Sequence, residues 1–120
     1  MKRQIIIFFG LMAAASPALA ETFRCDIKEK HYCTAREVCK SINPTIYNRI
    51  DFSQETYSRC DKAGCDTYKA SFSRSGIYII IDVPGRGLFA KLSVDGSEFL
   101  EVATLLTNTY VSFGSCRGEK

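Results

Sequence analysis

Beyond Pro44 the chain alternates between apolar and polar positions. Ile46, Asn48, Ile50 and Phe52 fall on one side at a period of two, with Tyr47, Arg49, Asp51 and Ser53 on the other. That is the signature of a half-buried strand. Tyr57–Arg59 predicts a second strand, and Asp61-Lys62-Ala63-Gly64 a turn after it. Residues 66–73 alternate again and put Tyr68, Ala70 and Phe72 together. Gly76 to Val83 is an aliphatic and aromatic run suited to a central strand, and residues 89–94 form the next. Asp95-Gly96 is a two-residue hairpin signal leading into residues 99–103. Asn108 marks a turn before residues 110–113, and Gly114-Ser115-Cys116 is expected to end the ordered chain. Upstream, Thr34-Ala35-Arg36-Glu37 has the form of a capping box, Val38, Cys39 and Ile42 give a short apolar face, and Asn43-Pro44 would stop it. This predicts one short N-terminal helix of about two turns.

Six to eight short strands at regular spacing define an all-β class, a small antiparallel β-barrel or a sandwich. A barrel removes the edges that a run as apolar as Ile77–Val83 would otherwise expose.

The N-terminus carries a different pattern. Met1-Lys2-Arg3 is basic, residues 5–15 are almost entirely apolar, and Ala18-Leu19-Ala20 has the small-x-small form of a signal-peptidase site. Residues 1–20 are therefore expected to be a cleaved signal peptide, and residues 21–120 a single exported domain, periplasmic if the source is bacterial. The apolar run is short for a membrane anchor, so no stable membrane insertion is expected. The 120-residue chain has 16 Lys+Arg and 13 Asp+Glu; without Lys2 and Arg3 the balance becomes 14 against 13. A net charge near +1 lacks the basic field that nucleic-acid binding needs.

All six cysteines, Cys25, Cys33, Cys39, Cys60, Cys65 and Cys116, fall in the expected mature part. An even number in a short exported chain argues for three disulfides, and about fifteen pairings are open. The favoured one is Cys25–Cys116, Cys33–Cys39 and Cys60–Cys65. The first ties the two ends where a barrel closes, and the others staple local loops.

The catalytic inventory is poor. His31 is the single histidine and sits in a charged stretch, Lys28-Glu29-Lys30-His31, so no Ser-His-Asp or Cys-His arrangement exists without it. His31 and Cys33 with Cys25 or Cys39 match no standard zinc spacing. Asp95, Glu98 and Glu101 cluster after the hairpin, but Glu98 and Glu101 are an odd step apart and read as solvated surface. Cys60 and Cys65 are not a C-x-x-C redox pair, and Ser93, Ser97 and Ser115 have no partner base. The expectation is a binding protein with no cofactor and no metal, rather than an enzyme.

Ser75-Gly76-Ile77-Tyr78, then Arg86-Gly87-Leu88-Phe89-Ala90-Lys91-Leu92, with Cys25 early and Cys116 last, resembles the periplasmic and membrane-bound inhibitors of c-type lysozyme found in Gram-negative bacteria. The resemblance spans about residues 70 to 116. The family's first element is Ser-Gly-x-x-Tyr, one residue longer than here. Its second opens with lysine where this chain has Arg86, and the four middle cysteines are not part of its pattern. The resemblance implies an eight-stranded barrel that plugs the lysozyme cleft. Ser75 would hydrogen-bond to the cleft carboxylates and Arg86 would pair with one, with Gly76, Tyr78 and Gly87 shaping the contact. Both residues would have to reach one cleft, although a strand over residues 77–83 spans about 20 Å. That strand is therefore expected to be short, bent or bulged near Asp82-Val83 or Pro84. Two other readings remain: a module for another envelope protein or glycan, using Tyr47, Tyr57 and Tyr110 as exposed aromatics, and a small hydrolase centred on His31.

Overall fold

The computed structural model describes residues 22–35, 39–44, 46–105 and 107–119. The expected signal peptide and residues 36–38 of the expected short helix lie outside them. Ten strands follow in chain order: β1 (Thr22–Cys33), β2 (Lys40–Ile42), β3 (Tyr47–Asp51), β4 (Thr56–Asp61), β5 (Gly64–Lys69), β6 (Ser71–Ser75), β7 (Tyr78–Val83), β8 (Leu88–Ser93), β9 (Phe99–Leu105) and β10 (Asn108–Glu119). The fold is a nearly closed antiparallel barrel with the neighbour order β5-β4-β3-β1-β10-β9-β8-β7-β6, and β2 paired to β1.

The count exceeds six to eight for identifiable reasons. Thr22–Cys33, too charged to announce itself, is a twelve-residue strand. It lies between β3 and β10, and one face of its charges is solvated or paired. Lys40–Ile42 is a strand against Lys30–Tyr32 rather than part of a helix, because that edge of β1 supplies ladder bonds that two turns of helix cannot match. The run 66–73 splits at Ala70 into β5 and β6. The C-terminus continues past Cys116, with Glu119 opposite Thr22.

That split closes the barrel. β5 and β6 end the two sides of the sheet yet are consecutive in the chain, with only Ala70 between them. Ala70 N donates to Glu55 O at 3.0 Å, holding the break against the β3–β4 turn. Phe52 meets Phe72 at a tilt, with centroids 4.9 Å apart, and Phe23 edge-on at 5.8 Å, filling that end with aromatic rings.

Alternation builds the core. Leu88, Ala90 and Leu92 of β8 point in beside Ile81 and Val83 of β7, Phe99 of β9, Ile50 of β3 and Tyr57 of β4. A bulge between Ile27 and Glu29 shifts the β1 register, so Cys25 and Ile27 face inward before it and Lys30, opposite buried Ser112, after it. Gly114 sits at this crossing, where a Cβ would collide with the Asp26 carbonyl. The three disulfides are Cys25–Cys116, Cys33–Cys39 and Cys60–Cys65. The first joins directly opposed residues of β1 and β10, and the third does so for β4 and β5.

Candidate functional site

Arg86 stands on the β7–β8 turn. Pro84 pre-sets the backbone, Gly85 and Gly87 take φ of 78° and 60°, and Arg86 N closes the turn on Val83 O at 3.4 Å. Gly87 has a second reason to be glycine. Its carbonyl accepts from Thr104 N at 2.8 Å and Thr104 Oγ1 at 2.9 Å, and a Cβ there would strike the threonine side chain. The turn is thus clamped to β9 while Arg86 remains exposed. Its guanidinium lies 5.2 Å from the Tyr68 ring centroid, across the seam on β5. A shallow cleft of about 300 Å³ runs along the turn, between Asp82, Pro84, Phe89 and Thr104.

Ser75, Gly76 and Tyr78 belong to the other end of the same strand. Ser75 pairs with Tyr78 across a tight turn in which Gly76 has φ 61°. Arg74 Nε binds the Gly76 carbonyl at 2.7 Å, and Val94 N binds the Ile77 carbonyl at 2.8 Å. Between the two groups the β7–β8 ladder runs without a bulge, from Tyr78 opposite Ser93 to Val83 opposite Leu88. No shortening, bend or bulge at Asp82-Val83 brings them together. Six strand residues separate them by roughly 16–20 Å. The expected two-loop plug is corrected on this point: Ser75 and Arg86 occupy opposite ends of β7, because a continuous ladder with apolar residues inside does not yield to a bulge.

Tyr78 instead joins a second group. Its hydroxyl donates to Glu98 at 3.3 Å, and Lys91 Nζ lies 4.4 Å from its ring centroid. The Glu98 charge pushes the phenol pKa up. With Ser97, Leu100 and Phe113 these residues line a groove of about 350 Å³. In the adjacent turn, the Ser97 amide and hydroxyl and the Ser93 hydroxyl all donate to Asp95, holding its pKa down to about 2.

Glu101 overturns the reading of a solvated carboxylate. It is fully buried, as are Asn48 and Ser112, and the partly exposed Arg59 reaches it from β4. Its Oε2 accepts from Asn48 Nδ2 at 2.6 Å, Tyr57 OH at 2.6 Å and Arg59 Nε at 3.2 Å. Burial, with the nearby carboxylate, pushes the Tyr57 phenol well above its ordinary pKa. Parity had already separated Glu101 from Glu98; the missed signal was that Glu101 shares its face with Phe99 and Ala103.

The exposed-aromatic reading is corrected as well. Tyr57 is fully buried, Tyr47 lies beneath the Arg24 guanidinium at 3.7 Å, and Tyr110 packs on Tyr32 at 4.9 Å. His31 meets Phe113 edge-on at 6.1 Å, with Glu29 3.7 Å away. Ser41 lies opposite His31 in the ladder, but their side chains share no hydrogen bond among the described residues. Among these residues no group of three or more His, Cys, Asp or Glu is placed to hold a metal ion.

One surface the sequence reading did not isolate is the outer face of β7–β10. Register places Val111, Val102 and Phe89 in one cross-strand row that ends at the exposed Asp82, and Phe113, Leu100, Lys91 and Ile80 in the next. Phe89 and Phe113 are each 43% exposed, where an outward strand face in water is ordinarily polar. This apolar field starts beside the Arg86 turn and ends at the Tyr78–Phe113 groove. No family model, no curated protein and no solved structure matches this chain.

Proposed function

We propose that this is an exported binding protein whose Arg86 turn enters an acidic cleft on a protein partner, and that a c-type lysozyme is that partner. The observation that carries the reading is Arg86 itself: an exposed guanidinium on a turn fixed by Gly85, Gly87 and Thr104, at the edge of an apolar field. A turn backbone fixed in this way loses little conformational freedom on docking, and arginine binds a carboxylate bidentately. Phe89, Val102 and Val111 would pack against the cleft rim. Blocking needs only occupancy, so the inhibitor performs no chemistry. The resemblance in Arg86-Gly87…Ala90-Lys91-Leu92 supports the choice of partner, and the disulfides suit the oxidising periplasm. The contact is carried by one turn, and Ser75 takes no part in it. The test is cell-wall lysis by a c-type lysozyme with the purified mature protein added; absence of inhibition at micromolar excess overturns the choice of partner.

A second reading is favoured by the reach of the apolar field to Phe113, beyond what one inserted turn needs. In it, the outer face of β7–β10 docks another envelope protein. Pull-down from envelope extract with wild type and Phe113→Ser separates the two readings: lysozyme inhibition survives this change in the first, and capture is lost in the second.

A further inference from the structure

We propose that the barrel interior binds one water molecule, at a site made by Glu101, Asn48 and Ser112. All three residues are fully buried. The three donors to Glu101 converge on Oε2, and Oε1 has no partner among the described residues. Asn48 Oδ1 and Ser112 Oγ are unpartnered in the same way. The three residues are neighbours: Asn48 Nδ2 is bonded to Glu101 Oε2, and Ser112 stands directly opposite Glu101 in the β9–β10 ladder. Directly opposed residues bring their Cβ atoms to about 4.5–5.5 Å.

The identity of the occupant follows from counting donors. Two of the three atoms, Glu101 Oε1 and Asn48 Oδ1, can only accept. The third is a hydroxyl, free to donate. A water molecule supplies two donors for the first two and a lone pair for Ser112, the three bonds typical of buried water. A cation is a poor fit. The Arg59 guanidinium already sits 3.2 Å from Oε2, and the Lys30 ammonium feels both groups: burial and Arg59 lower its pKa while Glu101 raises it. A third positive charge would face two others over one carboxylate. Lys30 Nζ itself lies 5.2 Å from the Tyr110 ring centroid.

The test is a crystal structure of the mature protein at atomic resolution. The expected result is one isolated peak about 2.7–3.2 Å from all three oxygens. Contacts near about 2.4 Å with further oxygen ligands would identify a metal ion instead. That result, Lys30 Nζ in the site, or no density there overturns the proposal. In solution, water-proton relaxation dispersion of wild type and Ser112→Ala gives a second reading. The variant is expected to lose the contribution of one long-lived water, and an unchanged profile contradicts the site.

Discussion

The Arg86 guanidinium reaches across the barrel seam to the Tyr68 ring, 5.2 Å from its centroid. One residue therefore bridges the β7–β8 turn and β5, two parts of the sheet that share no ladder bonds. Arg86→Ala is expected to lower stability in urea by about 0.5–1 kcal/mol, the size of an exposed cation–π contact. Arg86→Lys should recover part of that stability. If Arg86→Ala leaves the urea midpoint unchanged, the seam contact does not form in solution.

The disulfides should differ in weight. Cys25–Cys116 closes a separation of 91 residues, and Cys60–Cys65 one of 5. In the loop-entropy account the first contributes about 4.6 kcal/mol and the second about 2 kcal/mol. Paired serine replacements compared by chemical denaturation measure this directly. Equal losses would mean that the reduced chain keeps its ends together.

Glu101 holds the interior together through three donors. Replacing it with alanine leaves Arg59, Asn48 and Tyr57 without their acceptor inside the barrel. The expected cost is about 3 kcal/mol, at the lower end for a broken buried pair because Arg59 is partly exposed. Glu98→Ala, at the exposed groove, should cost less than about 0.5 kcal/mol. Similar losses for the two would return Glu101 to the surface.

Two groups illustrate the pH dependence at its two ends. Asp95 has its pKa held at about 2 in the fold, below its ordinary 3.8. Its contribution is present above about pH 4 and disappears as pH falls through about 2, because the protonated carboxyl no longer accepts from Ser93 and Ser97. Carboxyl NMR titration should find it, and Asp95→Asn should flatten the acid limb. Tyr57 is the opposite case. Its pKa is raised in the fold, so above about pH 10 the unfolded chain ionises first and stability falls as pH rises. Tyr57→Phe should weaken this alkaline decline; an unchanged decline would assign it elsewhere.

The class of fold was legible from period-two alternation, and the cysteine pairing from the placement of the six residues along the chain. Both signals are local or set by the chain ends. The extra strands were hidden for physical reasons. β1 carries Arg24, Asp26, Lys28, Glu29 and Lys30, and its strand state comes from three neighbours rather than from its own composition. The break at Ala70 is invisible in the alternation because both halves keep the same parity. At the candidate site, Arg86 was recognisable as a cation between two glycines. Its separation from Ser75 depended on whether the β7–β8 ladder was continuous, which no residue in 78–83 announces. The buried Glu101 cluster and the outer apolar field need register, and register is a property of strand pairs.

The most direct measurement is the inhibition constant against a c-type lysozyme for wild type, Arg86→Ala and Ser75→Ala. Inhibition by wild type is expected, with Arg86→Ala weakened by about 30-fold or more, as for a contact worth about 2 kcal/mol, and Ser75→Ala unchanged. An equal loss for Ser75→Ala would contradict the one-turn contact, and no inhibition by wild type would remove lysozyme as the partner.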